Sequence, residues 1–205
     1  MHISLKKVSK RYVYDYVLKG VSFDIESGKV LGISGANGSG KSTLLKIISA
    51  HLSKTSGEII YKKKDQSISE SDIYQHLNYA APYIGTIDEF NLSELLAFHQ
   101  KFKPFYQALN VKEFLSLLQV NYDPDKLLQN YSSGMQHRVK LGLAILSKSD
   151  LVILDEPSSF LDAEARQWFW NFLRNNHHDR TMIIASNDQE DFQLCDRVMS
   201  VEEWK

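Results

Sequence analysis

Eight consecutive residues, Gly35 to Ser42, read G-A-N-G-S-G-K-S and match the pattern G-x-x-x-x-G-K-[ST] without a break. Glycines in such a run let the backbone wrap a phosphate with its N–H groups turned inward, and a helix opening at Lys41 adds its positive end. Lys41 would reach the β- and γ-phosphates of a nucleotide as a point charge, and the Ser42 hydroxyl is a ligand for Mg²⁺. Gly35, Asn37, Gly38, Ser39, Gly40, Lys41, Ser42 and Thr43 are therefore the expected nucleotide-holding residues. A Gly-rich surface turn is the bland alternative; an apolar strand before the run and an amphipathic helix after it speak against that.

A second group of chemistry-bearing residues lies far downstream in L-V-I-L-D-E-P, Leu151 to Pro157. Asp155 and Glu156 end an apolar strand, which is where ligands gather in open α/β sheets. Asp155 would hold Mg²⁺ through its water shell, while Glu156, pointing the other way, could orient and deprotonate an attacking water. Two acids on a strand end could equally be a solvated exit. The phosphate loop upstream decides for chemistry.

These groups need elements to carry them. Up to residue 34 the chain alternates apolar and polar in short runs, giving expected strands at Ile3 to Val8, Tyr12 to Leu18, Val21 to Ile25 and Lys29 to Ser34. Lys41 to Ala50 has Leu44, Leu45, Ile47 and Ile48 on helical spacing, and Glu58 to Tyr61 is β-like; KKKD at 62 to 65 is an exposed turn. From Asn91 the character is helical: Asn91 with Glu94 and Asn110 with Glu113 make two capping boxes, and Asp123-Pro124 supplies a third start. Phe98, Phe102, Phe105, Tyr106 and Phe114 would furnish the contacts of this helical lobe. The chain then returns to α/β with a helix after Ser132, the strand at 151 to 154, a helix at Ala163 to Arg174, and strands at Thr181 to Ser186 and Arg197 to Val201. Short apolar strands alternating with helices imply a parallel sheet covered on both faces.

Composition bounds the partners. Twenty-four Lys+Arg against 25 Asp+Glu leave a net charge of −1, with no excess to hold nucleic acid or anionic lipid. One cysteine, Cys195, excludes an internal disulfide, and its plain reading is a small buried hydrophobe. The N-terminus lacks the apolar stretch of a signal peptide, and no run approaches the roughly 18 apolar residues of a spanning helix. The expectation is a cytoplasmic protein that meets a membrane only through a partner.

Tyr131 to Arg138, Y-S-S-G-M-Q-H-R, lies just before the D-E-P strand and resembles the L-S-G-G-Q signature of ABC transporter nucleotide-binding domains, keeping Ser132 and Gly134. Ser132 can cap the following helix, whose N-terminus is then an anion site. Together with the two motifs above, the whole chain is similar to that family. The resemblance implies an α/β P-loop NTPase fold with a mainly parallel central sheet and an N-terminal antiparallel β-subdomain. It further implies an α-helical signature subdomain at about 86–145, inserted in a single domain of residues 1–205. It implies a head-to-tail dimer, homo- or heterodimeric, closing around ATP and Mg²⁺ with Ser132 and Gly134 of one chain facing the γ-phosphate held by the other. Asp162, in S-S-F-L-D, becomes a contact across that dimer, and Tyr12 the aromatic that stacks on adenine. Separately encoded transmembrane permease subunits are the implied partners, meeting the face near Pro82 to Phe90, with no nucleic acid.

Within the signature, Tyr131 stands for Leu, Ser133 for the first Gly and Met135 for Gln, and two further positions depart from the family pattern in ways that matter for mechanism. L-N-Y-A-A-P-Y places Pro82 where the family keeps a glutamine, and I-I-A-S-N-D places Asn187 where it keeps a switch histidine. Asparagine donates a hydrogen bond but carries no charge and shuttles no proton, so intrinsic turnover is expected to be slow while nucleotide binding survives. Glu156, Lys41 and Asn187 are the expected catalytic set. Two other readings stay open: a soluble or regulatory nucleotide-binding module, and the slow-site half of an unequal heterodimer.

Overall fold

The computed structural model of the chain describes residues 1–205 other than Tyr122 and Pro124. Contacts divide the chain into two compact units, one of Met1–Tyr79, Ser149–Glu156 and Asp179–Lys205, the other of Ala80–Lys148 and Pro157–His178. Residues 86–145, the expected helical lobe, fall inside the second.

The first unit opens with two long antiparallel strands, β1 (His2–Tyr12) and β2 (Asp15–Ile25), joined by a turn at Val13–Tyr14. Their alternation buries Ile3, Leu5 and Val8 from one and Val21, Phe23 and Ile25 from the other. This corrects the expected strand at Tyr12 to Leu18: Tyr12 pairs with Asp15, Val13 sits at φ +54, and the turn falls inside that run. Val21 to Ile25 is the continuation of the same strand. β4 (Ser56–Lys63) and β5 (Gln66–Ile68) complete a four-stranded sheet in the order β2-β1-β4-β5, turning at Lys64. β5 was not anticipated, because its three residues are too few to show a period.

The second sheet of this unit is built from β3 (Val30–Ser34), β6 (Leu77–Ala80), β7 (Leu151–Asp155), β8 (Thr181–Ser186) and β9 (Arg197–Ser200), in the order β6-β7-β8-β3-β9. β7 with β8, β8 with β3 and β3 with β9 are parallel. β7 and β8 are buried at every residue, the signature of parallel strands without a solvated face. Between β3 and β4 runs α1 (Lys41–Ile48), whose Leu44, Leu45, Ile47 and Ile48 are all buried, as their spacing required. A one-turn helix, α2 (Ile73–His76), and β6 fill a stretch in which no element was anticipated.

In the second unit, α3 (Leu92–Phe102) and α4 (Val111–Leu117) each begin with a complete capping box, Asn91 with Glu94 and Asn110 with Glu113. The third start did not produce an α-helix among the described residues; Pro124 lies outside them, and the next element is a 3₁₀ turn at Leu128–Asn130. α5 (Ser133–Leu146) and α6 (Ala163–Asn176) come after it, capped by Ser132 and Asp162. Phe105 stacks on Phe114, and Arg138 of α5 lies over the ring of Trp168 of α6. Trp168 and Trp170 are both buried.

Candidate nucleotide-binding site

β8 lies between β7 and β3, and the registers Ser34↔Ser186 and Asp155↔Ala185 bring three strand ends level. The loop starting at Gly35, the Asp155–Glu156 pair and Asn187 therefore leave the sheet side by side, at the carboxyl edge where parallel sheets bind ligands. A Cβ at Gly35 would stand 2.6 Å from Ser39 Oγ and 2.8 Å from Val201 Cγ1, so only glycine closes this turn. Gly40 enters α1 at φ +107, with the Val17 side chain 3.1 Å from where a Cβ would be. Ser39 N–H donates to Ala36 O at 3.1 Å, and Ala36 N–H to Glu202 Oε1 at 3.3 Å, fixing the start of the loop.

The Lys41 side chain is 5% exposed and its Nζ donates to Gly35 O at 2.8 Å and Ala36 O at 3.3 Å. Gly40 gives the first turn of α1 no side-chain cap, and Ser39 Oγ is buried with no hydrogen-bond partner. A buried cation, uncapped helix N–H groups and an orphaned hydroxyl fit a phosphate-bearing ligand. Ser42 and Thr43 occupy the same first turn. Asp155 is 1% exposed and accepts from Tyr79 OH at 3.4 Å. No cluster of three or more His, Cys, Asp or Glu occurs among the described residues. One carboxylate with one hydroxyl fits Mg²⁺, which keeps waters and takes its remaining oxygens from substrate phosphates.

Glu156 sits at φ +49, its N–H donating to Ala185 O at 2.7 Å, and this turn aims its carboxylate at the loop. Oε1 lies 3.1 Å from Lys41 Nζ, and Oε2 accepts from Ser186 Oγ at 3.2 Å. Asn187 Nδ2 donates to Asn37 Oδ1 at 3.2 Å. Tyr12 ends β1 with its ring half-exposed and Lys10 Nζ 5.0 Å from the ring centre; Tyr14 and Tyr16 share the hairpin end. The structure thus brings the phosphate loop, Glu156 and Asn187 together by direct contacts. Tyr79, Ser186 and Glu202 were not singled out from sequence, because a lone hydroxyl or carboxylate outside a motif carries no spacing signal.

Ser132, Gly134, Asp162 and Pro82 belong to the second unit. Ser132 Oγ accepts Met135 N–H at 3.3 Å, the expected cap. A Cβ on Gly134 would lie 3.3 Å from the Phe160 carbonyl. Asp162 Oδ1 accepts Ala165 N–H at 2.8 Å, a helix-capping duty not read from the sequence. His137 bonds through Nε2 to Pro157 O at 2.7 Å; burial holds its pKa below the ordinary value, opposed in part by that bond. Lys140 Nζ donates to Pro82 O at 3.2 Å; burial lowers its pKa and Asp88 works against the shift. Pro82 takes part in this bond through its carbonyl alone.

A glycine loop between a parallel strand and a helix, with a buried lysine facing a strand-end glutamate, defines a P-loop nucleotide-binding domain of mixed α/β architecture. Residues 18–159 match the family model described as ABC transporter, more than half of the chain, and the chain belongs to that family. It is 30% identical to the Nod factor export ATP-binding protein I of Burkholderia lata, the alignment covering 98% of this chain and 68% of that protein. It is 28% identical to the sulfate/thiosulfate import ATP-binding protein CysA of Bradyrhizobium diazoefficiens, over 97% of this chain and 60% of that one. The dimeric structure of MJ0796, a bacterial ABC transporter cassette, superposes with a TM-score of 0.80 at 21% identity, covering 98% and 95% of the two chains; that likeness concerns the fold.

Proposed function

We propose that the chain is the ATP-binding and ATP-hydrolysing subunit of an ABC transporter, working at the cytoplasmic face of a membrane through separately encoded membrane subunits. No helix among the described residues is long and apolar enough to cross a membrane. In this reading the transport path lies in the partners. The observation that carries the reading is the 3.1 Å approach of Lys41 Nζ to Glu156 Oε1. A phosphate-seeking cation and a proton-accepting carboxylate share one cluster at the edge of a parallel sheet.

In this reading the N–H groups of Gly38 to Ser42 and the Lys41 ammonium bind the β- and γ-phosphates, and Tyr12 stacks on the adenine. Ser42 and Asp155 would hold Mg²⁺, which neutralises phosphate charge when bound. Glu156 orients the attacking water and takes its proton. Ser132, Gly134 and Asp162 of a second copy or a related subunit close the γ-phosphate from the other side, so the dimer is head to tail. Asn187 supplies an amide where an acid–base group worth roughly 10²- to 10⁴-fold could stand, so turnover by the isolated chain is slow.

The test is MgATP hydrolysis and light scattering on the purified chain and its Glu156→Gln variant. The expected result is slow turnover in the unaltered chain, loss of the remainder in Glu156→Gln, and an ATP-dependent dimer of that variant. Turnover unaffected by Glu156→Gln would overturn the assignment of the base, and absence of nucleotide binding would overturn the whole.

A further inference from the structure

We infer that Ser186 is the positioning residue for Glu156, an inference that rests on reading Glu156 as the general base. The two carboxylate oxygens have separate partners: Oε1 faces Lys41 Nζ at 3.1 Å and Oε2 accepts from Ser186 Oγ at 3.2 Å. The Lys41 ammonium is the group the phosphates attract, and it already shares its donors with Gly35 O and Ala36 O. Ser186 has no such competing duty. Its Oγ accepts Asp188 N–H at 3.0 Å, which turns the hydroxyl proton toward Glu156, and the residue is fully buried as the last of β8.

The backbone reinforces the pairing. Glu156 N–H donates to Ala185 O at 2.7 Å, so the β8 terminus grips both the main chain and the side chain of Glu156. With φ +49 at Glu156 fixed by that bond, the freedom left to the carboxylate is its own side-chain rotation, which the Ser186 hydroxyl limits. The neighbouring switch position cannot take this duty, because the Asn187 amide is turned to Asn37 Oδ1. Ser186 keeps its proton throughout and leaves Oε1 as the oxygen that accepts one from water.

The experiment uses the full chain with Ser186→Ala, Ser186→Thr, Glu156→Gln and the Ser186→Ala/Glu156→Gln pair. Single-turnover and steady-state MgATP hydrolysis are measured beside thermal melting and the ¹³C carboxylate resonance of Glu156, assigned as the signal that Glu156→Gln removes. A hydrogen bond to a charged group implies that Ser186→Ala lowers kcat about tenfold or more, with KM within about twofold. Ser186→Thr, which keeps the hydroxyl, recovers most of the rate. Ser186→Ala costs nothing further in the Glu156→Gln background, and it shifts the Glu156 resonance while Ser186→Thr restores it. An unmoved resonance, an unchanged kcat, or a loss that persists undiminished in Glu156→Gln overturns the inference. If Glu156→Gln alone leaves turnover intact, the general-base reading has failed, and the resonance still decides whether Ser186 holds the carboxylate.

Discussion

His137 Nε2 and the Pro157 carbonyl oxygen meet at 2.7 Å, joining the helix that Ser132 caps to the segment that ends at Asp162. A carbonyl only accepts, so the imidazole proton is on Nε2 and the buried Nδ1, which has no partner, is bare. Gly134 adds a second point of contact, with the Phe160 carbonyl 3.3 Å from where a Cβ would stand. The two features that the proposed function sends to a partner's nucleotide, Ser132 at the start of α5 and Asp162 at the start of α6, are thereby tied together within the second unit.

Removing this joint should show in stability and coupling alike. His137→Ala leaves the Pro157 carbonyl without its donor beside a cavity, a loss of about 2–4 kcal/mol. His137→Gln restores a donor and should recover more than half of it. Chemical denaturation measures the first effect; ATP-dependent dimerisation in a Glu156→Gln background measures the second, which His137→Ala should weaken more than its stability loss predicts.

Acid should destabilise the chain through another neutral histidine. Ser147 Oγ donates to Leu143 O, so His99 Nε2–H donates to Ser147 at 2.7 Å, and burial, with Lys103 adding, pushes the His99 pKa down to about 4 from the ordinary 6.5. A folded-state value below the unfolded one means that the contribution is whole above about pH 6.5 and is lost as pH falls toward 4. A shift of this size corresponds to about 3 kcal/mol. Denaturation curves at pH 7.5 and pH 4 should show that much less pH sensitivity in His99→Gln than in the unaltered chain.

Motif and period make much of this protein legible in its sequence. The phosphate loop, both capping boxes, the Ser132 cap and β8 stand where the residues placed them, because each rests on local chemistry: a glycine turn, an Asn–Glu reciprocity, a six-residue apolar run. The misreadings are where local signal is weak. Val13 at φ +54 is a residue that turns seldom use, so the β1–β2 hairpin looked like a strand. β5, α2 and β6 are three or four residues each. The partners of Glu156 and His137 come from register and packing across the chain, which no spacing along it encodes.

Gly142 tests packing in the second unit. It lies inside α5, where alanine would ordinarily gain about 1 kcal/mol of helix propensity. Its Cβ would sit 2.6 Å from Leu118 Cδ2 and 3.0 Å from Phe114 Cζ, and both side chains are fully buried. Overpacking costs about 1–3 kcal/mol and should exceed the propensity gain. Gly142→Ala is therefore expected to lower the denaturation midpoint, and a higher midpoint would show that Leu118 yields.

Asn187 makes the sharpest kinetic prediction. Asn187 Nδ2 reaches Asn37 Oδ1 at 3.2 Å, so a side chain at 187 stands beside the phosphate loop. Imidazole there keeps a hydrogen-bond donor and adds a group that titrates near neutral pH. Asn187→His should raise single-turnover hydrolysis about 10- to 100-fold, within the range of a positioned acid–base group, while nucleotide affinity changes less than about threefold. The rate gain should vanish when Glu156→Gln is added, since the proposed function makes Glu156 the base that activates the water an imidazole at 187 would assist. An Asn187→His chain that binds ATP as before and hydrolyses it no faster would mean that turnover is limited elsewhere, with Pro82 the first position to exchange for glutamine.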